Sequence, residues 1–252
     1  MYGIGGERDL TERTLDHLSG YQGARPVRVG NGAWNQQQHD VWGMILDALD
    51  VQFRRAASQI VSPAWEGLAG FVDAALEHWR EPDQGIWEVR GEPKHFTASK
   101  VMCWVAAARG ADLAEERGDE KRAQRWRAGA DTIKAEVLDK GISSRGVFRQ
   151  HYKTDGLDAS LLLLAILGFL PPDDDRIRAT VLAIAGELTQ DGLDRGPATD
   201  PRSSRPVMRA RLGRGRVAGA PHACQLDQLR GRRGHIAGRR SSGSLLLPGR
   251  AS

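Results

Sequence analysis

The sequence predicts an all-α protein, a toroid or solenoid of helical hairpins, followed by a tail of unlike composition. Three observations carry this reading. Six stretches support helical readings, and in two of them, 63–80 and 119–138, apolar residues mark one helix face. A pattern also recurs at sixty-one residues: Gly85-Ile86-Trp87 precedes Ala98-Ser99 as Gly146-Val147-Phe148 precedes Ala159-Ser160. One long loop and two helices then form the repeating unit, as in stacked-hairpin folds. Finally, the composition changes abruptly at residue 195.

Strand signals are scarce, and the best is the short alternation of residues 24–30, Ala-Arg-Pro-Val-Arg-Val-Gly. The first helix is expected over 36–54. The second, over 63–80, puts Trp65, Leu68, Ala69, Val72, Ala75, Leu76 and Trp79 on one face, with Ser62 and Pro63 as N-cap and first helical residue. A third helix is expected over 97–117, with Thr97 and Lys100 bracketing its start. In the fourth, 119–138, Ala123, Trp126, Ala130, Ile133 and Val137 make the apolar stripe. Helices over 157–170 and 173–190 complete the set, the last opening on Asp173 to Asp175, where a helix N-terminus favours negative charge. The loops 81–96 and 139–156 are long and polar, yet they carry Trp87, Phe96, Phe148 and Tyr152. Long loops in a packed helical domain are more often functional than idle.

Composition excludes several classes. With 252 residues, 40% hydrophobic and 27% charged, the chain is not disordered throughout. Its longest apolar run, Leu161 to Leu170, is about half the length that spans a bilayer, so no membrane association is expected. Glu7, Arg8, Asp9, Glu12 and Arg13 leave no apolar core for a signal peptide. Cys103 and Cys224 make no disulfide framework, and a cytoplasmic setting is expected. No metal and no cofactor are expected either, because His17, His78 and His151 lack ligand spacing.

The net charge of +4 averages two unlike segments. Residues 195–252 hold thirteen Arg, no Lys, two Asp and no Glu, a balance of +11 that leaves −7 for residues 1–194. Every Trp, Tyr and Phe also precedes residue 195. The expected division is therefore 1–194 and 195–252, the latter a disordered Arg/Gly/Pro-rich tail. Arg, Gly, Ala, Pro and Ser supply forty of its fifty-eight residues, the composition that out-of-frame reading of a GC-rich gene yields. An Arg-rich tail that binds nucleic acid in a salt-dependent way is the other reading.

Chemistry concentrates in two loops. In Asp83 to Phe96, Glu88 follows Trp87, and a carboxyl beside an indole suits a general acid acting on a sugar. The ring stacks on the pyranose and desolvates the acid, which raises its pKa toward neutrality. The same spacing also fits Trp87 as core and Glu88 as a solvated side chain. The second loop, Arg25 to Asp40, is dense in amide, Arg and aromatic groups that suit sugar hydroxyls. On residues alone, a glycosaminoglycan-like chain or a nucleic acid would fit as well.

Residues 2–193 resemble the catalytic domain of glycoside hydrolase family 15, in its bacterial glucoamylase and trehalase branch. The resemblance rests on Met-Tyr-Gly-Ile at 1–4 and Arg25 to Asp40 with Trp42-Gly43. It extends through Gly85 to Gly91 with His95-Phe96-Thr97 and Ser99-Lys100-Val101-Met102, then Leu157 to Leu161 and Gly168 to Pro171. It implies about half of an (α/α)6 barrel and hydrolysis of terminal α-glucosidic bonds, in trehalose or α-glucan oligosaccharides, with inversion. By the same resemblance Glu88 is the general acid. Trp87, Arg90 and His95 would shape its loop, and Trp34, Gln38 and Asp40 would face the sugar. Asp158 matches a family Asp at a helix start, as a cap or a ligand contact.

Departures from the family are equally specific. An inverting reaction needs a second carboxylate as base, and that general base is absent from this chain, whose last 58 residues contain no Glu. His39 stands where the family usually has an apolar residue, and Met44 where it usually has Glu. A half toroid exposes apolar faces, so low stability and self-association are expected. The leading expectation is a glycosidase fragment of low or no activity acting on a carbohydrate. The alternative is a non-catalytic remnant that binds carbohydrate, or nucleic acid through the basic tail.

Overall fold

The structure, a computed structural model, describes residues 3–56, 62–190 and 193–194. Its α-helices are α1 (Asp40–Ala56), α2 (Ser62–His78), α3 (Thr97–Arg117), α4 (Glu120–Lys140), α5 (Leu162–Ile166) and α6 (Asp175–Glu187). Two small antiparallel pairs flank them: β1 (Arg13–Thr14) with β2 (Arg28–Val29), and β3 (Thr189–Gln190) with β4 (Leu193–Asp194). The tail over 195–252, expected to be disordered, lies outside the described residues.

Small and apolar residues on every side make α3 the central helix. Val101, Val105, Ala106, Ala107, Ala111 and Ala114 are fully buried, and α3 packs against α1, α2, α4 and α5. It closes on Gly118, whose φ of 77° lies in the left-handed region that glycine enters without steric cost. Asp119 then caps α4 by accepting a hydrogen bond from the Arg122 amide. The stripe foreseen for α4 is the buried one: Ala123, Trp126, Ala130, Ile133 and Val137. Trp126 Nε1 donates to Asp73 Oδ1 on α2 at 2.7 Å, and its ring lies 5.8 Å from that of Trp65. Gly43 lets α1 cross α3 closely, since a Cβ there would come within 2.7 Å of the Met102 carbonyl carbon.

Four boundaries differ from the expectation, each for a stated cause. Helix α1 begins at Asp40, not residue 36, because the Gln36 side chain and the Gln37 and His39 backbone amides bond to the 81–96 loop instead. Helix α2 stops at His78, and the Trp79 and Glu81 carbonyls beyond it accept from Lys100 Nζ. The helix expected over 157–170 is only a 3₁₀ turn, Ala159–Leu161, running into the five-residue α5. Gly168, with φ 71°, turns the chain there, and the Phe169 amide bonds back to the Leu164 carbonyl. Helix α6 ends at Glu187, and β3 with β4 replaces its expected last turn.

The internal echo is structural. Gly85 (φ 66°) and Gly146 (φ 74°) occupy the same left-handed position in their loops. The Asp83–Lys94 and Ile142–Phe148 bridges close those loops, and a Phe96–His151 bridge joins one to the other. Successive hairpins thus set their loops side by side at one end. Exposed apolar side chains on the helices fall mostly on α1 and on α5 and α6, namely Val41, Met44, Val51, Ile166, Val181 and Leu182, with Phe71 of α2 besides. Those of α1, α5 and α6 are the free edges of a partial toroid. Among the described residues no helix is long and apolar enough to cross a membrane.

Candidate active site

Segment 31–40, loop 81–96 and loop 141–158 meet at the N-terminal ends of α1, α3 and the 3₁₀ turn before α5. The first two are laced together. Gln36 Nε2 donates to the Val89 carbonyl (3.3 Å), the Gln84 amide to the Gln37 carbonyl (3.1 Å), and the His39 amide to Asp83 Oδ2 (3.0 Å). The last two are joined by the Thr97 amide on the Gln150 carbonyl (3.0 Å) and the Tyr152 amide on the His95 carbonyl (3.1 Å). A side chain on any of these loops is therefore placed relative to the other two.

Glu88 sits at φ 51°, a conformation that costs a non-glycine residue on the order of 1 kcal/mol or more and that clusters at functional sites. Its amide bonds back to the Gly85 carbonyl at 3.2 Å, which holds the turn. The shielding expected from Trp87 is not built in: Glu88 is exposed, and the Trp87 side chain is 46% exposed. Nor is Trp87 core, the other reading of the spacing. Its indole Nε1 is anchored at 2.8 Å to Asp158 Oδ1, which leaves part of the ring free to meet a ligand.

Asp40 is the second carboxyl of the site, buried at the first residue of α1, with Oδ1 lacking any partner among the described residues. Burial, reinforced by Asp83 and Glu88, pushes its pKa up to about 6. Between pH 4 and pH 6 the folded protein thus holds a proton that the unfolded chain releases, and stability falls as pH rises through that window. Asp40→Asn is expected to stabilise the fold at pH 8 by on the order of 2 kcal/mol and to change little at pH 4. Thermal unfolding followed at both pH values checks this; an equal effect at both would reject it.

The remaining expected residues fall as follows. Arg90 pairs with Glu12 (2.9 Å), whose carboxyl that hydrogen bond holds below its usual range. Glu12 also takes Arg28 at 3.1 Å, so the β1–β2 hairpin is strapped to the 81–96 loop. Trp34 and Gln38 are half-buried. Gln38 lines a cleft of about 390 Å³ with Gln36, Gln37, His39, Val41, Trp42 and His78; Glu88 and Trp87 are not among its walls. His95 stacks on Tyr152 (5.8 Å) in the company of the 141–158 loop, and burial lowers its pKa.

Asp158, expected as a cap or a ligand contact, and two residues with no expected role, Asp83 and Lys100, hold these loops together. Asp158 is buried and accepts from Trp87 Nε1, from Gln150 Nε2 (3.0 Å) and from the Ser160 amide (2.6 Å). It is a helix cap, as one sequence reading had it, and also the anchor of Trp87. Asp83 and Lys100 are fully buried at the root of the 81–96 loop. In the sequence Lys100 lies on an apolar helix and Asp83 at a loop start, positions that carry no signal of an ionic core. Among the described residues no three His, Cys, Asp or Glu side chains converge as a metal-binding group.

Helical hairpins whose loops gather an exposed carboxylate, an exposed Trp and a buried carboxyl at one end define a partial α-helical toroid. Its solved likenesses are of that kind. A glycosidase in complex with glucose superposes with a TM-score of 0.60 at 23% identity, covering 73% of this chain and 50% of that one. A bacterial glucoamylase complexed with acarbose gives 0.52 at 16% identity, covering 71% and 30%. The chain belongs to the glycosyl hydrolases family 15, whose sequence pattern matches residues 1–209. Similar sequences include the trehalase of Mycobacterium tuberculosis (strain ATCC 25618 / H37Rv), 61% identical over 193 residues, 77% of this chain and 28% of that protein. The trehalase of Thermoplasma volcanium (strain ATCC 51530 / DSM 4299 / JCM 9571 / NBRC 15438 / GSS1) is 39% identical over 76% of this chain and 31% of its own. The chain thus spans under a third of the length of these curated relatives.

Proposed function

We propose that this chain carries the acid side of a trehalase-type glycoside hydrolase site, acting on a terminal α-glucosidic bond with inversion. One observation carries the reading: Glu88 is held on left-handed backbone, exposed, beside an indole that Asp158 anchors with its ring partly free. In this reading Trp87 stacks on the sugar ring, and the bound sugar supplies the desolvation that the free protein lacks. Glu88 then donates its proton to the glycosidic oxygen as the bond to the anomeric carbon breaks. Asp40, with a free Oδ1 and a pKa near 6, offers a hydrogen bond to a sugar hydroxyl, and Trp34 and Gln38 complete that side. Arg90 and His95 act on the loop from behind, through Glu12 and Tyr152. The water-activating base has no counterpart in this sequence, so turnover by the chain alone is low or nil, and its free helical edges favour self-association. No cofactor enters the scheme, and a cytoplasmic setting belongs to the same reading.

Trehalose and maltose, with glucose release followed enzymatically and the product anomer by NMR, test the proposal. Glu88→Gln is expected to lower whatever turnover is measured by about 10²–10⁴-fold, the usual contribution of a general acid, while trehalose binding persists. Full retention of rate would remove Glu88 from its role. Trehalose binding that Trp87→Ala leaves unchanged would favour a carbohydrate-binding remnant instead. Salt-sensitive retention on DNA, lost on deleting residues 195–252, would favour the basic tail as the functional part.

A further inference from the structure

Asp83 has no carboxylate role in the scheme above, yet it is fully buried, with one oxygen bonded and the other free. Its Oδ2 accepts from the His39 amide at 3.0 Å, immediately before α1 and Asp40. Its Oδ1 has no partner among the described residues. Its backbone is pinned on both sides, because the Asp83 amide donates to the Lys94 carbonyl (2.9 Å) and the Lys94 amide to the Asp83 carbonyl (2.7 Å). That pair closes the loop that presents Glu88. Behind it, the fully buried Lys100 Nζ donates to the Trp79 carbonyl at 2.5 Å and to the Glu81 carbonyl, fixing the chain just before Asp83. The ammonium also lies within the field of the Asp83 charge. A buried carboxylate is costly unless paired, and here its compensation is split between an ammonium and an amide at the positive end of a helix.

We propose that Asp83, backed by Lys100, is a positioning residue of the sugar site, tying the Asp40 end of α1 to the loop that carries Glu88. The assignment rests on the sugar-site reading of Glu88 and Asp40 given above, but its geometry does not. Its consequence for the chemistry runs through Asp40. The titratable groups set against Asp40 are Asp83 and Glu88 of the acid loop and Cys103 of α3, so the negative charge of Asp83 helps keep Asp40 protonated. Protonated, Asp40 can donate to a sugar oxygen.

The decisive variant is Asp83→Asn, which keeps an oxygen for the His39 amide and removes only the charge. The full chain, labelled with ¹³C at Asp carboxyls, is titrated by NMR, and trehalose is titrated against it at pH 5 and pH 7. The expected result is a lower titration midpoint for Asp40 in the Asn variant. Trehalose binding is expected to be little changed at pH 5 and about five- to tenfold weaker at pH 7, as the donating form is depleted. Asp83→Ala is expected to lose binding at both pH values and to release the His39 amide to fast hydrogen exchange, while Asp83→Glu restores part of it. An Asp40 midpoint and a His39 exchange rate that match the unaltered chain in every variant would overturn the assignment. If the unaltered chain binds no trehalose at either pH, the sugar reading fails, and the Asp40 midpoint and His39 exchange still decide whether Asp83 couples the two loops.

Discussion

Gly43→Ala is expected to be among the most damaging single changes in the protein, although it adds one methyl group to a helix that should welcome alanine. The new Cβ would stand 2.7 Å from the carbonyl carbon of Met102 and closer still to its oxygen. These are backbone atoms of α3, so no rotamer relieves the clash, and α1 must move. Overpacking of this kind costs about 1–3 kcal/mol where side chains absorb it, and a backbone contact belongs at the upper end or beyond. For a chain of this size, 3 kcal/mol is roughly a 6–12 °C fall in Tm. The displaced helix begins with Asp40, so loss of the His39–Asp83 bond should accompany the loss of stability. Circular dichroism melts read the first effect and amide exchange at His39 the second. A Tm within 2 °C of the parent would mean that the two helices do not cross where the structure puts them.

Asp158→Ala should come second, and it separates stability from recognition. Three donors lose their acceptor at once: the Trp87 indole, the Gln150 amide group and the Ser160 backbone amide. Stranding buried donors costs about 1–3 kcal/mol each when nothing replaces the acceptor, though water reaching the half-exposed Trp87 tempers the total. A loss of about 3 kcal/mol is expected and, in the sugar site proposed above, trehalose binding about tenfold weaker because the Trp87 ring is no longer oriented. Asp158→Asn keeps the carbonyl oxygen and should recover much of both. Stability lost with affinity intact would reduce Asp158 to a cap and nothing more.

These expectations show which parts of the molecule could be read from its residues. Helices α3 and α4 run within two residues of their expected limits because their signals are local. An apolar period, a left-handed Gly118 and a capping Asp119 all act inside one or two turns. The start of α1 was not legible, because what unwinds Gln36 to His39 is a set of partners on loop 81–96, some fifty positions further along the chain. The brevity of α5 has a similar cause. Leu161 to Leu170 has the composition of a helix, but Gly168 and the capped turn at Asp158 leave it five residues.

The site divides along the same line. The 81–96 loop stands out in the sequence through Trp87-Glu88 and through a glycine-led echo that reflects a shared left-handed turn. The exposure of Glu88, the burial of Asp40 and the link from Asp158 to Trp87 depend on which loops lie side by side. By itself, then, the sequence determined an all-α hairpin architecture, a family and a Trp-Glu pair on a long loop, because those reside in period, composition and contiguous motif. Only the tertiary structure decided that Asp83, Lys100 and Asp158 are buried ties and not solvated charges. Desolvation and hydrogen-bond partnership are properties of the assembled loops, and no residue carries them alone.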